Sequence, residues 1–86
     1  MKEHRLKTHP DPFNSIASGL KLHEVRRADR DFQPGDAVVL ECWRGDDEGY
    51  TGHSISATIG HVTAPRTWGL PDGLCVFSLL NVVVRR

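Results

Sequence analysis

The sequence has no long apolar run. Nothing in its 86 residues approaches the roughly 20 consecutive apolar residues that a membrane-spanning helix needs. The first residues, Met1-Lys2-Glu3-His4-Arg5, are polar and no apolar stretch follows them, so no secretory signal is expected. Cysteine is scarce: Cys42 and Cys75 are the only two, each inside an apolar stretch. The expectation is a pair of reduced core thiols in a cytoplasmic protein. Net charge is absent as well, with 11 Lys and Arg against 11 Asp and Glu. That excludes a uniformly basic nucleic-acid binder. The common chemical signatures are also missing. There is no Walker phosphate loop and no Gly-x-Ser-x-Gly elbow. The five histidines His4, His9, His23, His53 and His61 match no zinc spacing, and neither His-Glu-x-x-His nor Cys-x-x-Cys occurs. No metal or organic cofactor is implied.

What remains is a globular, turn-rich composition: 38% apolar, 26% charged, eight Gly and five Pro. The length supports one domain over residues 1–86, with one modest core. A chain of this size buries roughly 60–65% of its unfolded surface. There is no repeat or linker.

The zero net charge conceals a pattern. Residues 1–30 carry seven Lys or Arg against four Asp or Glu. Residues 31–56 carry one against six, and residues 57–86 three against one. The positive charge gathers at Lys21, Arg26, Arg27 and Arg30, with Lys7 upstream. Such a cluster is either a local basic site or a solvated strand edge, since Lys and Arg blunt edge strands.

Asp11 as a cap and Pro12 at the first turn predict a short helix over residues 12–18. Phe13, Ile16, Ala17 and Leu20 fall at helical spacing and would face the core, with Gly19 ending the helix. Four strand-like segments follow, at 22–27, 37–43, 50–62 and 74–84. Pro34-Gly35 suits the centre of a type II turn, and Asp46-Asp47-Glu48-Gly49 an acidic hairpin loop. The last strands are apolar on both faces in places, which predicts a closed or curled sheet. The fold expected is mainly β in an α+β arrangement: a small barrel with one short N-terminal helix beside a cleft.

The 22–27 strand is unusual. Leu22, Glu24 and Arg26 share one face, so an acid sits beside a base where apolar residues are expected. The local pattern is Gly19-x-Lys21-x-x-Glu24-x-Arg26, then Asp29-Arg30-Asp31-Phe32. Lys21 and Arg26 suit a phosphate or a carbonyl oxygen. Glu24 suits a base amino group or general-base work. Lys21 would be an activated amine if its ammonium were desolvated. The bland alternative is an ion-pair network bracing a barrel edge.

This segment resembles a known family. The pattern runs from His4-x-Leu6-Lys7-x-x-Pro10-x-x-Phe13 through Gly19-x-Lys21-x-x-Glu24-x-Arg26 to Asp29-Arg30-Asp31-Phe32-x-x-Gly35-Asp36. Together with Glu41-x-Trp43, Gly49-Tyr50-Thr51-Gly52, Gly69-Leu70 and Gly73-Leu74-Cys75-Val76, it is similar to an ASCH-like branch of the PUA-like superfamily. That branch consists of small uncharacterised proteins of bacteria and phages. The resemblance spans nearly the whole chain and is most specific at Gly-x-Lys-x-x-Glu-x-Arg. It implies a PUA-like β-barrel whose cleft is lined by that segment, and binding of RNA. Some relatives are amidohydrolases acting on acetylated cytidine, with a Lys, a Thr three positions later and a distant Glu. Here Lys21 matches, but position 24 is Glu24 and no Glu follows Glu48. Other relatives are ribonuclease-like.

Three functions compete. In the first, the protein binds RNA or a nucleotide-like ligand. Lys21, Arg26 and Arg30 meet phosphate with Lys7 in support, Glu24 reads a base edge, and Trp43, Tyr50 or Trp68 stacks on a base. In the second, it is a small hydrolase with Lys21 and Glu24 as the catalytic pair and Arg26 orienting the substrate or stabilising an oxyanion. In the third, it docks on a protein partner through Asp46-Asp47-Glu48 or Arg85-Arg86. RNA or nucleotide binding is the leading expectation, for a cytoplasmic monomer or weak dimer with no membrane partner.

Overall fold

The computed structural model describes residues 1–86. The chain runs β1 (Glu3–Thr8), α1 (Pro10–Ala17), β2 (His23–Arg27), β3 (Ala37–Trp43), β4 (Tyr50–Thr63) and β5 (Leu74–Arg85). The strands form one sheet in the order β1-β3-β4-β5-β2. β1 lies parallel to β3, and the other neighbours are antiparallel. The fold is therefore an α+β half-barrel, its sheet curled as the sequence predicts but not closed by a fifth ladder between β1 and β2. No helix of the chain is long and apolar enough to cross a membrane.

Period-2 alternation builds the core. Val38, Leu40 and Cys42 of β3 turn inward with Ile55, Ala57 and Ile59 of β4 and Cys75, Phe77 and Leu79 of β5. Phe13 and Ile16 of α1 pack onto this face. Cys42 and Cys75 are free and buried, on strands separated by β4.

Two register shifts in the β4–β5 pairing bend the sheet. One lies between Ser56 and Thr58 of β4, opposite Asn81 of β5, which has a positive φ of 54°. The other lies between Ile59 and Val62 and contains Gly60. An extra residue on one strand bends it and increases its twist. Gly60 is needed there for space: a Cβ would stand 2.5 Å from Ser78 Oγ, the group that accepts the His61 N–H at 2.8 Å.

Three local expectations need correction. Residues 3–8 form a strand that the sequence reading had not assigned, because its inward set of His4, Leu6 and Thr8 contains only one apolar side chain. The helix starts at Pro10 rather than Pro12. His9 occupies the N-cap position with no side-chain cap bond, so Asp11 contributes charge in the first turn instead of capping. Leu20 does not face the core; it is 85% exposed. The helix ends at Ala17, and Gly19, at φ 82°, turns the chain off the helical path.

A buried polar anchor fixes β1. His4 Nε2 lies 2.9 Å from Asp36 Oδ2, and Asp36 also accepts the backbone N–H groups of Lys2 and Gln33, each at 3.1 Å. The His4 ring packs on Phe32, which packs on Phe77. The His4 bond, then the Lys2 and Gln33 N–H groups, lower the Asp36 pKa from 3.8 to about 2, against the opposing effect of burial. The unfolded carboxyl thus takes up its proton at a higher pH than the folded one. Stability from this group is complete above the unfolded value and is lost as pH falls from 3.8 through about 2. Urea midpoints measured across that window should fall more steeply for the wild type than for Asp36→Asn. Equal slopes would remove Asp36 from the acid response.

Candidate functional site

The half-barrel leaves two free strand edges, β1 and β2, and these face each other across a seam. Side chains bridge it. Arg26 donates to Thr8 Oγ1 at 3.0 Å, and Arg30 donates to the Arg5 carbonyl at 3.1 Å. A cleft of about 440 Å³ opens along the seam, walled by β1, β2, the start of α1 and the segment after β2. That is the size of a small-ligand pocket.

β2 explains why the seam is polar. Its inward positions are Glu24 and Arg26, where β3, β4 and β5 place apolar side chains. Glu24 is 3% exposed, yet each of its carboxylate oxygens has a cationic partner. Arg26 Nε donates to Oε2 at 2.8 Å, and Lys21 Nζ donates to Oε1 at 3.4 Å. Gly19, at a positive φ just past the helix end, turns the chain so that Lys21 reaches this position. Thr8, also buried, completes the chain of bonds by accepting from Arg26 and meeting the Leu6 carbonyl at 3.4 Å. No buried side-chain polar atom lacks a partner. A buried carboxylate satisfied in this way is tolerated, whereas an unpaired one is not.

Five cationic side chains line the cleft, Lys7, Lys21, Arg26, Arg27 and Arg30, against two acids, Glu24 and Asp29. Several donors remain unused. Arg26 has two of its five N–H groups in the bonds above, and Arg30 has one. The surface therefore suits an anion or a set of carbonyl oxygens. It suits nucleophilic chemistry less well. Lys21 is engaged by Glu24 instead of lying in an apolar pocket, as an activated amine would. The Cys75 thiol borders a second hollow of about 220 Å³, and burial followed by the Asp29 charge pushes its pKa up. No group of three or more His, Cys, Asp or Glu side chains is placed to hold a metal ion.

Of the residues singled out in the sequence, Lys7, Lys21, Glu24, Arg26 and Arg30 meet at the cleft. Trp43 and Tyr50 do not line it. They sit opposite each other in the β3–β4 register, and Tyr50 is 54% exposed. Trp68 is 95% exposed in the 64–73 loop. Sequence reasoning missed Thr8, His9 and Asp29 as cleft residues. Thr8 and His9 would have followed from assigning β1, whose alternation turns Thr8 inward and ends at the rim.

Fold and site together define a small α+β half-barrel domain with a charged cleft at its open seam. The chain belongs to the family described as "Domain of unknown function (DUF3850)", whose model matches residues 3–79. It is also similar to a protein of Escherichia phage P2 named "Uncharacterized 12.9 kDa protein in GpA 3'region". The two are 31% identical over 83 residues, covering 96% of this chain and 73% of the phage protein.

Removing Glu24 tests how far the triad supports the fold. Breaking a fully buried ion pair costs about 3–5 kcal/mol. Lys21 and Arg26 remain 24% and 22% exposed, so water partly replaces their partner. Glu24→Ala should therefore lower unfolding free energy by about 2 kcal/mol in urea titration, and Glu24→Gln by less. A loss below about 0.5 kcal/mol would mean that the seam behaves as a solvated surface network.

Proposed function

We propose that this protein is an RNA- or nucleotide-binding module whose ligand enters the seam cleft with its phosphate against the basic wall. The observation that carries this reading is the excess of cations over acids in a cleft of nucleotide size. Lys21 and Arg30 contact phosphate oxygens, and Arg26, oriented by Glu24 and Thr8, presents its remaining donors. Lys7 adds charge at the rim. Glu24 reads an amino group of the base through lone pairs not taken by its two cations. The resemblance of Gly19-x-Lys21-x-x-Glu24-x-Arg26 to the RNA-binding ASCH-like, PUA-like proteins supports the same reading.

Charge also limits the ligand. The protein is neutral overall, and its acidic middle third opposes a long polyanion. A single strand or one nucleotide fits this balance better than a duplex. Each contacted phosphate of a single strand contributes about −0.7 to the log–log salt slope. Binding should then have a slope shallower than about −5.

Amide NMR titration with nucleoside monophosphates and short single-stranded RNAs tests the proposal. Shifts should centre on residues 21–30. Lys21→Met and Arg30→Ala should each weaken binding about tenfold, the scale of one charge-assisted hydrogen bond, with thermal melts confirming the fold. Silence at residues 21–30 with millimolar ligand, or a slope steeper than about −5, would overturn it. New ligand signals growing over hours would instead assign a hydrolytic role to Lys21 and Glu24.

A further inference from the structure

The cleft has a rim that faces two ways. β1 is the strip of backbone between the cleft and the outer face of the sheet. Lys7 projects from the exposed side of that strip and also lines the cleft. Its Nζ lies 4.6 Å from the centre of the Trp43 ring. His9, another cleft residue, approaches the same ring at 5.6 Å between centroids. Trp43 is half-buried at the end of β3, just past a register shift, on the outward-facing set of positions. The Trp43 ring is thus continuous with the cleft through two residues that touch both.

A lysine over an indole is held by the ring quadrupole, and the contact is weak where water reaches it. A nucleobase can take its place on the ring while the ammonium moves to the adjoining phosphate. The acidic loop of Asp46, Asp47 and Glu48 lies between β3 and β4, and repels a strand running on past Trp43 toward Tyr50. The surface open to stacking beyond the cleft is therefore short, with Trp43 nearest the rim and Tyr50 opposite it at the base of the acidic loop.

We propose that Trp43 forms a second base subsite, so that the protein recognises a single-stranded RNA segment of two nucleotides in preference to a mononucleotide. One nucleotide occupies the cleft, Lys7 neutralises the phosphate at the rim, and the second base stacks on Trp43. The subsite rests on the nucleotide reading of the cleft.

The test uses the wild-type chain with uridine monophosphate, then with a 5′-phosphorylated uridine dinucleotide and a tetranucleotide. The monophosphate should shift the amides of residues 21–30 and leave the Trp43 indole N–H in place. The dinucleotide should move both and bind about tenfold more tightly, the scale of one base–aromatic stack. The tetranucleotide should add little. Trp43→Leu, checked by thermal melting, should abolish the dinucleotide's advantage and leave monophosphate affinity unchanged. A dinucleotide that shifts residues 21–30 but neither moves the indole nor gains affinity would overturn the subsite and leave the cleft reading intact. No shift at residues 21–30 with any of these ligands would overturn both.

Discussion

Glu24 is a carboxylate at a position where a curled sheet ordinarily places an apolar side chain, and the seam is organised around it. It lies 3% exposed between Arg26 and Lys21. Taking that charge out of water is costly unless it is paired and hydrogen-bonded, so the two cations are obligatory neighbours. Arg26, once fixed by Glu24, reaches across to Thr8 on β1. The opposite edge of the sheet is thereby joined to β2 by a side-chain bond in place of a backbone ladder. An apolar residue at position 24 would remove the reason for two cations to gather there.

The same logic explains why the half-barrel stays open without coming apart. β1 is parallel to β3 and its outer edge has no strand partner, so it depends on fixed points. One is Asp36, which holds His4 and the Lys2 N–H near the start of the strand. The other is the Arg26–Thr8 bond at its end, with Arg30 on the Arg5 carbonyl between them. These anchors keep the two edges apart at a set distance. A preformed gap of this kind spares a ligand the cost of ordering its own site.

Much of this arrangement was legible in the sequence where local chemistry and global fold agree. The apolar run 37–43 and the alternation of Ile55, Ala57 and Ile59 in 50–62 located β3 and β4, and the doubly apolar last segments pointed to curling. Gly19-x-Lys21-x-x-Glu24-x-Arg26 marked the charged wall of the cleft because acid and base fell on one strand face. Legibility failed where burial is polar. β1 turns His4 and Thr8 inward, and neither is recognisable as core until Asp36 and Arg26 are brought to them from 32 and 18 residues away. Leu20 failed for a different reason: helical spacing extends it onto the apolar face, but Gly19 ends the helix before that face is reached. The surroundings of Trp43, where Lys7 and His9 approach its ring, depend on which strand lies beside β3, and sequence spacing carries no information about a parallel neighbour.

The charge pattern acquires a spatial meaning from this topology. The basic first third of the sequence supplies β1, β2 and the segment after β2, which between them form the walls of one cleft. The acidic middle third supplies β3 and the hairpin loop beyond it, where Glu48 pairs with Arg44 and Glu41 approaches Arg5. Of the acids in that third only Asp36 is deeply buried, and it is taken up by His4. A neutral protein built in this way has no reason to attract a long polyanion, because the attraction and repulsion of its two surfaces cancel beyond roughly one Debye length, about 8 Å at physiological salt. Within that distance the cleft cations dominate. The fold thus gathers the positive charge of a sequence with zero net charge into the walls of one cleft at the seam.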